Sequence, residues 1–373
     1  MKNKLKLFTI ILLTFTSLII IAPLVAAKTR DSYMINYIYA NQGLIEDSED
    51  FFGDNYEENT QALQILDYYN AFSIEGPFGV EHQVDKVDLS NYLEDNLYDM
   101  FDSNTLLLYD LYNILQAFVL IGYTIDSALN VTVQKYLNSS SHVSGGFSPI
   151  NTSISSDLAS TFYAYQIYNL LGVEFPNKTI HENWILSCFR IDGGYAGNST
   201  LTSTLLTTYY AVVLISELDS VNALMSKSKT LEYLNSFFIN DTYDQIGYGG
   251  YLPMELAVFP LLSSTYFAAT AIDYIQGNQS SYLHKDATVS WILERQNFQD
   301  GGFSDKYSEN NQELSSITTT SYAFKTLMLF DSLSSLDQEV FMVEFNYLIL
   351  TIVLVAIGIL IIISYVIWRR RRV

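Results

Sequence analysis

The chain has little cysteine, little proline and few alternating apolar–polar runs. Its one cysteine, Cys188, excludes an intrachain disulfide, so packing rather than cross-linking must stabilise the fold. Six prolines and almost no β-type alternation argue against strands and favour an all-helical domain. Cys188 lies in an apolar helical stretch, 184–189, and we interpret it as a buried, inert thiol rather than a ligand or nucleophile.

Basic charge is also scarce in the central part of the chain. Residues 28–346 contain all 40 acidic residues but only 12 of the 19 basic ones, so this segment carries a net charge of −28. Such a field disfavours nucleic acid and anionic lipid surfaces, whereas cationic partners, divalent ions or simple solubility stay open. The acidic run 46–58 lacks the alternating oxygen ligands and fixed glycine of a calcium loop, so we interpret it as a solvated loop.

Both chain ends predict export and membrane anchoring. Three lysines, an apolar run over 7–25 and small residues up to Ala27 are typical of a signal peptide, 1–27, although an uncleaved signal anchor is the alternative. Residues 347–368 carry no charge and, as a helix, reach about 33 Å, which is enough to cross a membrane. The basic tail 369–373 then predicts a cytoplasmic C-terminus and an extracytoplasmic N-terminal domain at the cell membrane. An export-sorting signal that is later removed is the other interpretation of this tail.

Seven Asn-x-Ser/Thr sequons fit an exported glycoprotein. They are Asn130, Asn138, Asn151, Asn177, Asn198, Asn240 and Asn278.

A repeated turn, two glycines followed by an aromatic residue, is the most informative pattern of the chain. Its glycine pairs are Gly145–Gly146, Gly193–Gly194, Gly249–Gly250 and Gly301–Gly302. Each turn precedes a segment of small hydroxyl residues, aromatics and alanine, such as 160–164. Two elements that recur in the same order at a near-constant spacing indicate a repeat architecture.

Each repeat predicts an outer amphipathic helix, the turn, and an inner helix without a charged face. The outer helices are predicted at 125–137, 179–190, 228–238 and 286–296, and the inner helices at 156–171, 200–217, 258–275 and 313–329. A weaker unit precedes them, with an outer helix near 60–72, a turn at 75–79, an acidic insertion at 80–102 and an inner helix near 105–121. Residues 32–43 and 333–344 are the candidates for a sixth, split pair. About six such pairs close into an α/α toroid, with an open solenoid as the alternative.

The last repeat resembles the repeats of protein prenyltransferase β-subunits and of squalene and oxidosqualene cyclases. The resemblance rests on 296–303 (Gln-Asn-Phe-Gln-Asp-Gly-Gly-Phe) and the Ser/Thr-Tyr-Ala helix that follows, and it extends over roughly 60–330. It implies inner helices around a central cavity, in which those enzymes bind isoprenoid chains. The domains predicted are a signal peptide (1–27), an N-terminal helix and acidic loop (28–59), the toroid (60–332), a linker or closing helix (333–346), the transmembrane helix (347–368) and the tail (369–373).

The catalytic motifs of those families do not carry over to this chain. Cys188 has Leu186 where prenyltransferases have the aspartate of an Asp-x-Cys zinc motif, and it lies on an outer helix. The acidic string 47–50 lies outside the repeats, unlike the cyclase motif, and no thioester string occurs. The four histidines, His82, His142, His181 and His284, lack metal-binding spacing. We therefore predict no metal and no cofactor.

Two sets of residues are left as candidates for a site. Asp157, Glu255 and Glu313 precede or begin inner helices, where two carboxylates could face each other for glycan hydrolysis, although such acids also complement helix dipoles. Tyr163, Tyr210, Tyr266 and Tyr322 recur at nearly one repeat position and are candidates for lining a cavity. The sequence favours a non-catalytic ectodomain that binds a surface ligand or protein. The alternative is an enzyme that acts on an isoprenoid, lipid or glycan in the cavity.

Overall fold

The computed structural model describes residues 28–44, 48–76, 79–219, 221–297, 299–305 and 315–340. It divides into a large unit, 31–336, and a small unit formed by the two chain ends. In the small unit, the strands Lys28–Thr29 and Glu339–Val340 pair antiparallel. The predicted signal peptide, transmembrane helix and basic tail lie outside the described residues. None of the helices in the described ranges is both long and apolar enough to span a membrane.

The described residues form twelve α-helices, most of which begin at a capping side chain. In chain order they are α1 (Arg30–Ala40), α2 (Tyr56–Tyr68), α3 (Lys86–Ser103), α4 (Leu108–Ile121), α5 (Ser127–Ser140), α6 (Leu158–Leu170), α7 (Lys178–Ser187), α8 (Leu205–Leu218), α9 (Lys227–Asn235), α10 (Leu262–Gln276), α11 (Lys285–Leu293) and α12 (Ile317–Leu329). Short 3-10 helices lie at Val221–Ala223, Ser281–Leu283 and Leu333–Asp337, and two further antiparallel strand pairs join Ser73–Gly76 to Gly79–Gln83 and Tyr195–Ala196 to Ser203–Thr204.

The even-numbered helices form a closed inner ring in the large unit. Each packs against the next, and α12 packs against α2, so the ring has no free end. Most residues of α8 are buried, as expected for a helix with neighbours on all sides. The expected α/α toroid is therefore present, and the open solenoid is wrong.

One hydrogen bond ties each glycine turn to its inner helix. In four repeats the backbone N–H of the turn's aromatic residue donates to a buried threonine at the fourth position of the inner helix, at 2.9–3.1 Å; the pairs are Phe147–Thr161, Tyr195–Thr208, Tyr251–Thr265 and Phe303–Thr320. Phe52 makes the same bond to the Asn59 side chain of α2 at 3.1 Å. The recurring hydroxyl residues are thus explained by a buried backbone donor that needs an acceptor.

The first glycine of each turn lets the turn approach the next outer helix. At Gly193, φ is +99°, and a Cβ atom would lie 2.3 Å from the backbone oxygen of Lys229 on α9. At Gly301 the corresponding atom is the backbone oxygen of Tyr33 on α1, at 2.4 Å. The last turn therefore packs against the first helix, so α1 is the outer helix that follows the sixth unit around the ring.

The prediction for the N-terminal units was wrong in two respects. The segment near 60–72 is mostly the inner helix α2, and its outer partner is α1, not a helix from 333–344. The supposed acidic insertion at 80–102 contains a strand and α3, the outer partner of α4. The many acidic residues of α3 made the segment look like an insertion rather than an outer helix. Its apolar face is nevertheless buried, because Leu89, Leu93 and Leu97 are fully shielded from solvent. Six helix pairs result, as expected, but with a different assignment of the first two.

Candidate functional site

The inner ring encloses a cavity of about 200 Å³. Its lining residues share one property: each occupies position 2, 5, 6 or 9 of an inner helix, which places them on one face of a 3.6-residue period. They are Glu57, Thr60, Gln61, Gln64, Tyr109, Tyr112, Asn113, Phe162, Tyr163, Tyr209, Tyr210, Tyr266, Phe267, Tyr322 and Lys325. All six inner helices contribute, so the cavity lies at the centre of the ring.

Glu57 is the acidic residue of this lining, and neighbouring side chains hold it in place. Tyr109 on α4 donates a short hydrogen bond to its Oε2 atom, and Tyr322 on α12 donates to Oε1 at 3.3 Å. Gln61, one turn along α2, donates to Oε1 at 2.9 Å. The carboxylate therefore accepts hydrogen bonds from three inner helices, which compensates for its removal from water.

Lys325 is the basic residue of the lining, and no comparable set of partners surrounds it. Its ammonium group lies 5.8 Å from the centroid of the Tyr322 ring. Within the described ranges we find no hydrogen bond or ion pair to this group. Burial lowers the pKa of Lys325 to about 8, and the negative charge of Glu57 opposes the shift. At neutral pH the amine is mostly protonated, so a positive charge lines the cavity beside the Glu57 side chain.

All four tyrosines predicted from the repeat line the cavity. The hydroxyl groups of Tyr163 and Tyr210 are 3.0 Å apart and hydrogen-bonded to each other. Burial raises the pKa of Tyr163 and of Tyr210, so both hydroxyls stay protonated and can donate. The aromatic rings of the lining also contact one another; the ring centroids of Tyr266 and Tyr322, for example, are 5.6 Å apart.

The three predicted carboxylates do not form a pair in the cavity. Asp157 caps α6: its Oδ1 atom accepts the Ser160 N–H at 2.7 Å and its Oδ2 atom accepts the Ser160 hydroxyl at 2.9 Å. Burial raises the pKa of Asp157, and the hydrogen bonds from Ser160 oppose this shift. Glu255 is exposed in the loop before α10, and Glu313 lies outside the described residues. The helix-capping interpretation accounts for Asp157.

Cys188 is buried and two of the histidines stack on aromatic rings, which are roles in packing. Cys188 is fully buried at the end of α7, where burial raises the pKa of its thiol to about 11. His181 stacks on Phe147 at 4.8 Å, and His284 stacks on Phe238 at 3.8 Å. No group of three or more His, Cys, Asp or Glu side chains suited to a metal ion occurs among the described residues.

The acidic loop before α2 makes hydrogen bonds within the fold. Asp50 accepts the Asp85 N–H at 2.9 Å and the Gln42 amide at 3.0 Å, which links the loop to the start of α3.

The predicted glycosylation sites differ in their contacts. Asn278, the asparagine of one sequon, donates to Asp331 at 2.9 Å. Glycosylation of Asn278 would have to replace this contact, and glycosylation of Asn138 would have to replace the hydrogen bond that its Oδ1 atom accepts from Tyr168, whereas Asn177 and Asn240 are exposed.

Comparison with known proteins identifies the family of this ring. The model of the prenyltransferase alpha-alpha toroid domain matches residues 152–250 and 259–348, together just over half of the chain. The chain belongs to this family. A search of curated protein sequences found no significant match.

A solved structure supports the same fold at low sequence identity. The Candida albicans protein geranylgeranyltransferase-I complexed with GGPP is 15% identical, with a TM-score of 0.52 over 84% of this chain and 88% of that chain. A type II terpene cyclase from Scytonema, in complex with its product merosterolic acid A, is 10% identical, with a TM-score of 0.42 over 80% of this chain and 86% of that one. At 15% identity the likeness to the geranylgeranyltransferase concerns the fold alone.

The sequence motifs do not identify the two charged residues of the cavity, Glu57 and Lys325. Glu57 falls in the acidic run 46–58, which the sequence indicates is a solvated loop, and none of the motifs includes Lys325. The threonine that anchors a turn fixes position 4 of its inner helix and thereby positions 2, 5, 6 and 9, which is a sequence signal for Lys325 but not for Glu57. In α12 this register places Lys325 on the same face as Tyr322. In α2 the register is not visible in the sequence, because Asn59 takes the place of the threonine.

Proposed function

We propose that this protein binds a small polar molecule in the central cavity of its toroid. The observation that carries the proposal is the composition of the lining: a closed ring of six helices places a carboxylate, an amine, amides and tyrosine hydroxyls around one central cavity. Burying such groups costs free energy, and it is offset only by hydrogen bonds, water or a ligand. A ring that served only as a scaffold could bury apolar side chains at the same positions.

The size and polarity of the cavity argue against an isoprenoid ligand. Its volume of about 200 Å³ is below the roughly 300–1,000 Å³ that is typical of sites for drug-sized ligands. A long prenyl chain would also leave Glu57 and Lys325 desolvated beside hydrocarbon. We therefore propose that the chain has the fold of the prenyltransferase toroid family but binds a smaller and more polar molecule.

Binding without catalysis is the form of this function that the residues favour. Cys188, the one thiol available for a metal site, is the buried C-cap of the outer helix α7 and is not among the residues that line the cavity. Asp157 is engaged as a helix cap, and Glu57 is saturated with hydrogen-bond donors. None of these groups is arranged as a nucleophile with an adjacent base.

We further propose that the toroid is exported and anchored at the cell membrane by residues 347–368, with the tail in the cytoplasm. The signal-like N-terminus, the uncharged stretch, the four arginines and the sequons support this topology. The acidic surface would then face the exterior, where it could hold a surface partner. Replacing Arg371 with cysteine tests the topology: a membrane-impermeant maleimide should label this cysteine only after the cells are permeabilised. Labelling of intact cells would contradict a cytoplasmic tail.

Native mass spectrometry of the detergent-extracted full chain tests binding in the cavity. We expect a small non-covalent adduct that disappears on denaturation. Asn113→Phe should remove it by filling the cavity, and the variant should fold, because aromatic residues occupy the same helix position in four other units, as Tyr163 and Phe267 show. Asn91→Phe, at an exposed site on α3, is the matched control and should keep the adduct. An adduct that persists in Asn113→Phe would place the ligand elsewhere, and a bare wild-type mass would contradict the proposal.

A further inference from the structure

We propose that Lys325 and Gln64 form the recognition site for a small hydroxycarboxylate. This inference rests on the proposed binding function and names the chemistry of its ligand. The two residues occupy position 9 of α12 and of α2, which are packed neighbours in the ring. They therefore lie at the same level of the cavity, on adjacent walls.

The two charges of the cavity are not equivalent. Glu57 accepts hydrogen bonds from Tyr109, Gln61 and Tyr322, so its charge is satisfied by the protein. Lys325 is seven helix positions further on, about 10 Å along the ring axis, and it makes no hydrogen bond to Glu57 or to any other described residue. Lys325 is half-buried and lines the cavity, and an anionic ligand there would supply the counter-charge that the described residues do not.

The amide of Gln64 has no hydrogen bond in the described part of the chain, and its Oε1 atom is shielded from solvent. Gln61, which is 3% exposed, also has an Oε1 atom without a donor. Rotation about the terminal torsion of Gln64 can present either its oxygen or its nitrogen to the cavity. These amide oxygens need a donor, which a carboxylate lacks and a hydroxyl group supplies.

The charge balance selects a singly charged ligand. Lys325 neutralises one negative charge, and a second would face the carboxylate of Glu57 across a small cavity. A monocarboxylate therefore fits better than a phosphate or a diphosphate, and an adjacent hydroxyl group completes the hydrogen bonds to the glutamine oxygens. The site takes the carboxylate on Lys325 and the hydroxyl on Gln64.

Titration calorimetry of the full chain in detergent, with glycolate as the probe, tests the inference. We expect glycolate to bind, acetate to bind more weakly because it lacks the hydroxyl donor, and neither ethylene glycol nor inorganic phosphate to compete. Lys325→Met should weaken glycolate binding at least tenfold, and Gln64→Leu should remove the preference for glycolate over acetate. Lys135→Met, at an exposed lysine of α5, is the matched control and should bind as the wild type does.

The stability of the same variants gives a second measurement. Without ligand, Lys325→Met should melt at the same or a higher temperature than the wild type, because it removes a half-buried charge that has no counter-ion among the described residues. Lower melting without ligand, or unchanged glycolate binding by Lys325→Met, would overturn the assignment of Lys325. Tighter binding of phosphate or ethylene glycol would overturn the ligand class. In that case the cavity would still be a binding site if native mass spectrometry shows an adduct that Asn113→Phe removes. If native mass spectrometry shows no adduct and no probe binds, both the proposed binding function and the hydroxycarboxylate site are wrong.

Discussion

Tyr322 donates a hydrogen bond to Glu57 at 3.3 Å, although the two residues are 265 positions apart in the sequence. The bond joins the last inner helix to the first and lies at the seam where the ring closes. It also orients a buried carboxylate at the edge of the cavity. Ring closure and the geometry of the site therefore depend on the same contact.

We predict that Tyr322→Phe destabilises the protein by about 1–2 kcal/mol, because Glu57 loses one donor while two remain. The free energy of unfolding, measured by denaturant titration, is the test. Tyr243→Phe, whose tyrosine is 91% exposed, is the control and should be neutral. If both variants are neutral, the Tyr322 hydroxyl contributes nothing to closure.

The threonine anchor of each turn gives a second prediction. In Thr208→Val the N–H of Tyr195 keeps its buried position but loses its acceptor, and valine has nearly the same shape as threonine. An unsatisfied buried donor costs about 1–3 kcal/mol, so the melting temperature should fall. The exposed Thr202→Val is the control. Equal melting of the two variants would show that the turn does not need this bond.

Gly172 and Gly193 both have left-handed backbone conformations, but only Gly193 is closely packed. Substituting each by alanine therefore separates the cost of the backbone conformation from the cost of the close contact. Gly193 has a carbonyl oxygen 2.3 Å from the ideal Cβ position, whereas Gly172, at φ +64°, has nothing within 4 Å. Gly172→Ala should cost about 1–2 kcal/mol, the price of a left-handed alanine. Gly193→Ala should cost clearly more, because α9 must also move away from the turn. Similar losses of unfolding free energy would contradict the close packing of turn and helix.

His181 makes the stability of the fold depend on pH. Its Nδ1 atom accepts the Gly146 N–H at 2.9 Å, its Nε2 atom has no partner among the described residues, and burial lowers its pKa to about 4. The folded pKa is below the unfolded value of about 6.5, so this contribution is complete above pH 6.5. It is lost as pH falls towards 4, by up to about 3 kcal/mol.

Unfolding free energies between pH 7 and pH 4 test this prediction. Wild type should lose stability more steeply than His181→Gln, which cannot titrate, while the half-buried His142→Gln should follow the wild type. Parallel curves for all three proteins would show that His181 is not the origin of the pH dependence.

The motif repeat predicted the architecture because its determinants are local. A glycine turn, an aromatic residue and a threonine one turn into the next helix lie within about 20 residues of one another, as at 145–161. Each set makes the same hydrogen bond in its own unit. The pattern therefore indicated the helix order, the toroid and the four cavity tyrosines. The inner helices begin two to five residues later than predicted, because the preceding residues are extended and cap the helix.

The first two units could not be assigned in this way. Asn59 replaces the threonine of α2, and α3 has a strongly acidic face, so neither shows the motif of the later repeats. Only the approach of Gly301 to Tyr33 reveals that α1 is the outer partner at the seam. That contact joins residues that are far apart in the chain, and no local pattern encodes it.

The sequence by itself determined the repeat, the helical class and the family, because these follow from short-range hydrogen bonds and from helical periodicity. Only the tertiary structure decided what the ring encloses. Glu57, from a segment that reads as an acidic loop, and Lys325, from the last helix, line the same cavity because α12 packs against α2 when the ring closes. Their juxtaposition depends on the closure of all six pairs, which is a property of the whole fold.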